Sequence, residues 1–183
     1  MNTPNKLTLI RIALVPVFMA LLLVDTVGAQ VGALLVFALA SLTDMLDGKI
    51  ARKYNLITTF GKFMDPLADK MLTTAAFIVF LQKGIISSWP LMIILTREFM
   101  VSGVRLVAAG EGKIIAAAFW GKFKTVAQMA AIMATIILTM NLHFIPFETG
   151  LLISRVLIWI SVLFTVFSGI EYIVKNIDLL KNC

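Results

Sequence analysis

Four aspartates between Ser41 and Lys70 offer the most chemistry in this chain. Asp44 and Asp47 lie three residues apart, and Asp65 and Asp69 four apart. On a helix either spacing puts both carboxylates on one face, with Cβ atoms about 5–6 Å apart. Four carboxylates drawn together in an apolar chain repel one another, and desolvation adds to the cost. A cation must compensate. All-oxygen ligands suit hard divalent ions such as Mg²⁺ or Mn²⁺, and two such ions about 3.5–4 Å apart form a clamp for displacement at phosphorus. No His or Cys lies near in sequence, which argues against zinc. Gly48, Ala51 and Gly61 are small residues within a turn of the acids, leaving room for a ligand against backbone, and Arg52 adds a cation suited to a phosphate or a carboxylate. The bland alternative is that the acids cap helix ends and pair with Lys49, Arg52, Lys53, Lys62 and Lys70. Four acids with interleaved glycines at the edge of apolar runs favour a functional site, because ionisable groups in spans are functional by default.

The elements that must position these acids are membrane helices. Of 183 residues, 60% are hydrophobic and 14% charged, against about 45–50% and about 25% for soluble domains. Mean hydropathy is +0.98. These values predict an all-α integral membrane protein with one domain over residues 1–183. Six apolar stretches approach the length of about 20 residues that a span needs: Leu7–Val24, Val27–Leu46, Met64–Leu81, Trp89–Ala109, Phe123–Met140 and Leu151–Val174. Alternate connections are basic. Putting these in the cytoplasm, with both termini, places fourteen of the sixteen Lys and Arg there, leaving Lys83 and Arg155 on the other side. Arg155 is the one charge this topology leaves unexplained. The net charge of +6 then reads as cytoplasmic loops meeting anionic lipid, not as a nucleic-acid surface. The second and third spans meet on the cytoplasmic side through a short basic loop, so the two acidic pairs share one depth just inside the membrane surface. Cys183 can form no internal disulfide, and the first apolar stretch continues into a hairpin without a small-residue cleavage site.

The run Asp44-x-x-Asp47-Gly48-x-x-Ala51-Arg52, then eight residues, then Gly61-x-x-x-Asp65-x-x-x-Asp69 resembles the signature of the CDP-alcohol phosphotransferase family. The resemblance extends through "PNKLTLIRI", "TREFMVSGVRLVAA" and "GKFKTVAQM". It is closest to the branch that uses glycerol 3-phosphate. It implies a six-helix membrane fold, often dimeric, with the site open to the cytoplasm and inner leaflet. It implies phosphatidyl transfer from CDP-diacylglycerol to glycerol 3-phosphate with release of CMP. It assigns Asp44, Asp47, Asp65 and Asp69 to two divalent cations and Asp69 to general-base duty. It also assigns Gly48, Ala51 and Gly61, with Arg52, to the cytidine nucleotide. Asn5, Thr8 and Arg11 recur every three residues at the start of the first helix. They read as an amphipathic entry lying at the interface, and the resemblance brings them towards the nucleotide.

A phosphorylated acceptor needs cations. Arg97, Arg105, Lys122, Lys124 and Lys70 are the candidates. Arg97 and Arg105, eight apart, share a face of the fourth span approximately, and arginine forks phosphate in two-point fashion. Arg97 also has Glu98 beside it as a partner. Lys122 and Lys124 are expected in a surface loop. Snorkelling to headgroups is the structural alternative for all of them.

Within the same family the acceptor could be serine, inositol phosphate or phosphatidylglycerol. A divalent-cation transporter is a different class of reading, disfavoured because the acids hug one interface and no repeat is visible. Trp89 and Trp159 read as anchors, Glu171 as a partner for basic residues, and His143 as an outer-loop residue far from the acids.

Overall fold

The computed structural model describes residues 3–53, 59–110, 119–140 and 146–176. They form six α-helices and no strand: α1 (Thr3–Leu23), α2 (Val27–Lys53), α3 (Thr59–Gln82), α4 (Ser88–Gly110), α5 (Phe119–Thr139) and α6 (Phe147–Lys175). Each predicted apolar stretch lies on a helix, to within a residue at its ends. The helices run past the apolar windows on the charged side: α2 continues to Lys53, and α3 opens at Thr59, ahead of Met64. Hydropathy stops at the first charge, but the hydrogen-bond ladder does not. His143, Lys113, Lys181 and Cys183 lie outside the described residues.

The links follow local chemistry. Thr26 caps α2, its hydroxyl accepting from the Ala29 amide at 3.4 Å. Between α3 and α4, Gly84 adopts φ 70°, a conformation glycine adopts at little cost. The Gly84 amide bonds Leu81 O at 3.0 Å and the Ile85 amide bonds Phe80 O at 2.9 Å. That pairing is a Schellman stop, with Ile85 buried behind it. Arg155 from α6 closes the same turn: its Nε donates to Ile85 O at 2.8 Å and its Nη2 to Gly84 O at 3.2 Å. The charge left unexplained by topology is thus a clamp on backbone carbonyls.

One apolar core threads the bundle, built from Phe18, Phe37, Phe77, Phe80, Ile132, Ile136 and Ile158 among others. Helix α1 packs on α2 and α3, and α6 on α5 and α4. Helices α5 and α6 lie close together at Gly150, where any Cβ would overlap the Leu138 carbonyl. The buried face of α6 carries Ser154, Ser161, Thr165 and Ser168. Ser154, Ser161 and Thr165 return their hydroxyls to their own helix backbone at 2.7–2.8 Å, which satisfies them without water. Large apolar side chains also cover the outside, including Leu39, Trp89, Phe99, Leu106 and Phe167, as a lipid-facing surface requires. Among the described residues, α5 and α6 are long and apolar enough to cross a membrane.

The amphipathic-entry expectation needs revision. Helix α1 is continuous from Thr3, and Thr8 and Arg11 are only 1% and 2% exposed while Leu9 and Ile10 face outward. The polar face of this turn points into the bundle, because α1 packs against two helices at once.

Candidate active site

The backbone carries the acidic motif on two helices. Asp44, Asp47, Gly48, Ala51 and Arg52 all lie on α2, and Gly61, Asp65 and Asp69 all lie on α3. Residues 54–58 join the two. The side chains at these positions, and that of Asn5, lie outside the described residues. The spacings of three and four therefore fall on uninterrupted helix, as the sequence requires for each pair to share a face. Helix α1 packs on both α2 and α3, and its Thr8 and Arg11 are buried. One turn before Asp44, the Ser41 hydroxyl is buried without a hydrogen-bond partner.

Of the cations expected to hold an acceptor phosphate, Lys70, Arg97 and Lys124 converge on one carboxylate, that of Glu98. Glu98 of α4 receives Arg97 Nη1 at 3.2 Å and a very short bond from Lys124 Nζ, and Lys70 Nζ stands 3.8 Å from its other oxygen. Lys70 also donates a very short bond to Ser102 one turn on. Arg97 reaches the other way as well, its Nη2 donating to Ser168 Oγ of α6 at 2.6 Å. Helices α3, α4, α5 and α6 are thus tied at one level.

Room for Arg97 comes from two glycines. A Cβ at Gly169 would stand 3.1 Å from Arg97 Cγ, and one at Gly121 would stand 3.6 Å from Arg97 Nη2. The Nε–H of Arg97, the Oη of Tyr172 and one oxygen of Glu171 are buried without a hydrogen-bond partner. Buried polar atoms are normally satisfied, so these await water or a ligand.

Lys122 and Lys124 do not sit in a loop. Helix α5 begins at Phe119, and Lys124 is buried, 4% exposed, while Lys122 is exposed. The early start has an aromatic cause. Trp120 stacks on Phe164 of α6 at 6.4 Å, and Phe123 meets the same ring edge-on at 4.9 Å. Once the segment is helical, residues two apart face different ways, so Lys122 does not join the cluster. Arg105, like Arg97, reaches towards α6. Its guanidinium lies 5.8 Å over the Tyr172 ring, one turn beyond Ser168 on α6, yet it remains exposed. Glu171 pairs with Lys175 at 2.6 Å. Lys70, Arg97 and Lys124 are therefore fixed, and Arg105 is the accessible cation beside them.

Residues 1–167 match the family described as CDP-alcohol phosphatidyltransferase. The chain belongs to this family. Among curated proteins it is similar to a CDP-diacylglycerol–glycerol-3-phosphate 3-phosphatidyltransferase of Bacillus subtilis, 45% identical over 99% of this chain and 98% of the relative. A Rickettsia bellii protein of the same name is 37% identical, over 93% of each chain. A probable phosphatidylglycerophosphate synthase of Mycobacterium tuberculosis is 36% identical over 95% of this chain and 81% of its own. The phosphotransferase resemblance carried by the aspartate signature is thus family membership across nearly the whole chain.

Proposed function

We propose that this protein is an integral membrane enzyme transferring a phosphatidyl group from CDP-diacylglycerol to glycerol 3-phosphate, giving phosphatidylglycerophosphate and CMP. The observation that carries the reading is end-to-end similarity, at up to 45% identity, to proteins named for that reaction. All six helices cross the membrane as a single domain, both termini and the acidic ends of α2 and α3 face the cytoplasm, and the protein works as a homodimer in a bacterial cell membrane.

The donor set fits divalent cations: four carboxylates, paired at one-turn spacing on two consecutive helices, form an all-oxygen site of the kind Mg²⁺ and Mn²⁺ accept. Asp44, Asp47 and Asp65, with Asp69, would hold two such ions. Divalent ions held there would supply positive charge to offset the diphosphate and the departing CMP. The chain's own residues do the rest. Gly48, Ala51 and Gly61, with Arg52, line the nucleotide, and Asn5, Thr8 and Arg11 approach it from α1. A carboxylate oxygen of Asp69 takes the proton of the acceptor hydroxyl as attack develops. The new oxygen–phosphorus bond forms at the phosphorus bearing diacylglycerol. The bond to the bridging oxygen breaks, and CMP leaves with the electron pair. No covalent enzyme intermediate forms. Arg105 grips the acceptor phosphate together with the cluster of Lys70, Arg97 and Lys124, with Lys122 at the periphery.

The test is an acceptor panel. Purified protein receives CDP-diacylglycerol and Mg²⁺ or Mn²⁺, with glycerol 3-phosphate, serine, inositol phosphate or phosphatidylglycerol in turn, and CMP release is measured. Turnover with glycerol 3-phosphate supports the reading. Turnover confined to another acceptor rejects it.

A further inference from the structure

We propose that Glu98 is a positioning residue for acceptor recognition, fixing Lys70, Arg97 and Lys124 so that they present converging donors to the acceptor's phosphate. The inference rests on the acceptor-site reading above and names the residue that organises the site.

Three observations carry it. First, one carboxylate gathers cations from three helices: Lys124 and Arg97 on Oε1, and Lys70 at 3.8 Å from Oε2. Second, each of two cations has an additional seat that aims it, Lys70 on Ser102 and Arg97 on Ser168 at 2.6 Å. Third, this seating leaves Arg97 Nε–H buried without an acceptor. A guanidinium held at both terminal nitrogens, with a buried N–H still to be satisfied, is preset for an anionic oxygen.

Without the Glu98 charge the cluster would not stay assembled. Lys124 and Arg97 converge on the same oxygen, so loss of its charge removes the attraction that draws the two cations together there. Lysine stems are flexible and turn towards water when their partner is lost. The more positive field left behind attracts a phosphate, but donors that have dispersed cannot meet one phosphate together. Loss of geometry therefore outweighs gain of charge, and acceptor binding weakens.

The experiment is Glu98→Gln, which keeps shape and one oxygen acceptor while removing the charge. Initial rates of CMP release are measured against glycerol 3-phosphate at saturating CDP-diacylglycerol, and then the reverse. The expected result is a KM for glycerol 3-phosphate raised about tenfold, the scale of losing one good charge-assisted contact. The KM for CDP-diacylglycerol should stay within about twofold, and Glu98→Asp should recover part of the loss. Unchanged or lowered KM for glycerol 3-phosphate overturns the proposal. So does a parallel change in both KM values and kcat with reduced thermal stability, which marks a merely structural salt bridge. Ser102→Ala is the milder variant: it frees Lys70 without touching Glu98, and a selective rise of a few fold is expected. If Glu98→Gln does not fold, Ser102→Ala decides, and an unchanged KM there overturns the proposal. Wild-type protein inactive with glycerol 3-phosphate but active with another acceptor fails the function reading instead, and the role of Glu98 is then read from the KM of that acceptor.

Discussion

Replacing Arg97 by lysine keeps the charge and removes the fork. The guanidinium bridges α4 to α6 through Nη2 and Ser168 Oγ at 2.6 Å while Nη1 holds Glu98 at 3.2 Å. A single ammonium cannot occupy both positions, and Glu98, carrying charge, keeps it. Ser168 is fully buried, so its hydroxyl loses its partner from α4. A hydrogen bond to a charged group contributes about 1.5–3 kcal/mol, so Arg97→Lys should destabilise the fold by about 2 kcal/mol. For a chain of this size that corresponds to a fall in Tm of about 4–8 °C. The assay is thermal unfolding of detergent-solubilised protein followed by tryptophan fluorescence, since Trp120 of α5 stacks on Phe164 of α6, one turn before Ser168 on the helix that accepts the bridge. A double-mutant cycle with Ser168→Ala isolates the contact. Ser168→Ala should cost about 2 kcal/mol in the wild-type background and little in Arg97→Lys. Costs that add within about 0.5 kcal/mol would refute the bridge.

Three further outcomes are expected. Asp69→Asn should abolish CMP release while nucleotide binding, measured by calorimetry with CMP and Mg²⁺ or Mn²⁺, is largely kept; wild-type turnover would remove Asp69 from the base role. Arg155→Met removes two bonds to the Gly84 and Ile85 carbonyls and should lower stability by about 1–3 kcal/mol, with both KM values unaltered because the clamp lies on the α3–α4 turn; unchanged thermal unfolding would contradict the clamp. Gly150→Ala forces a methyl onto the Leu138 carbonyl and should destabilise by about 1–3 kcal/mol through separation of α5 and α6, measured again by thermal unfolding.

The six helices were legible because each coincides with a long apolar stretch of the sequence. Their charged ends were not. The extension of α2 to Lys53 and of α3 back to Thr59 is invisible to a hydropathy window, although it puts the aspartate motif on continuous helix. Lys124 was misread for the same reason: "GKFK" looks like a loop until the rings of Trp120 and Phe123 find Phe164, a contact 41 residues distant at its closest. Arg155 was recognisable as anomalous but not explicable, since its partners are backbone carbonyls that carry no sequence mark. Sequence gave Glu98 only its neighbour Arg97. Its other partners come from α3 and α5, and a carboxylate shared between helices has no linear spacing to read.

If the acids of α2 and α3 hold divalent cations on which phosphatidyl transfer depends, transfer must fail without metal. The direct measurement is CMP release from CDP-diacylglycerol and glycerol 3-phosphate by chelator-treated protein, titrated with Mg²⁺ or Mn²⁺, for the wild type and Asp44→Ala. The account predicts no release without metal, saturable recovery in the wild type, and a much higher metal requirement in Asp44→Ala. Full turnover by metal-free protein, or the same metal dependence in both proteins, would contradict it.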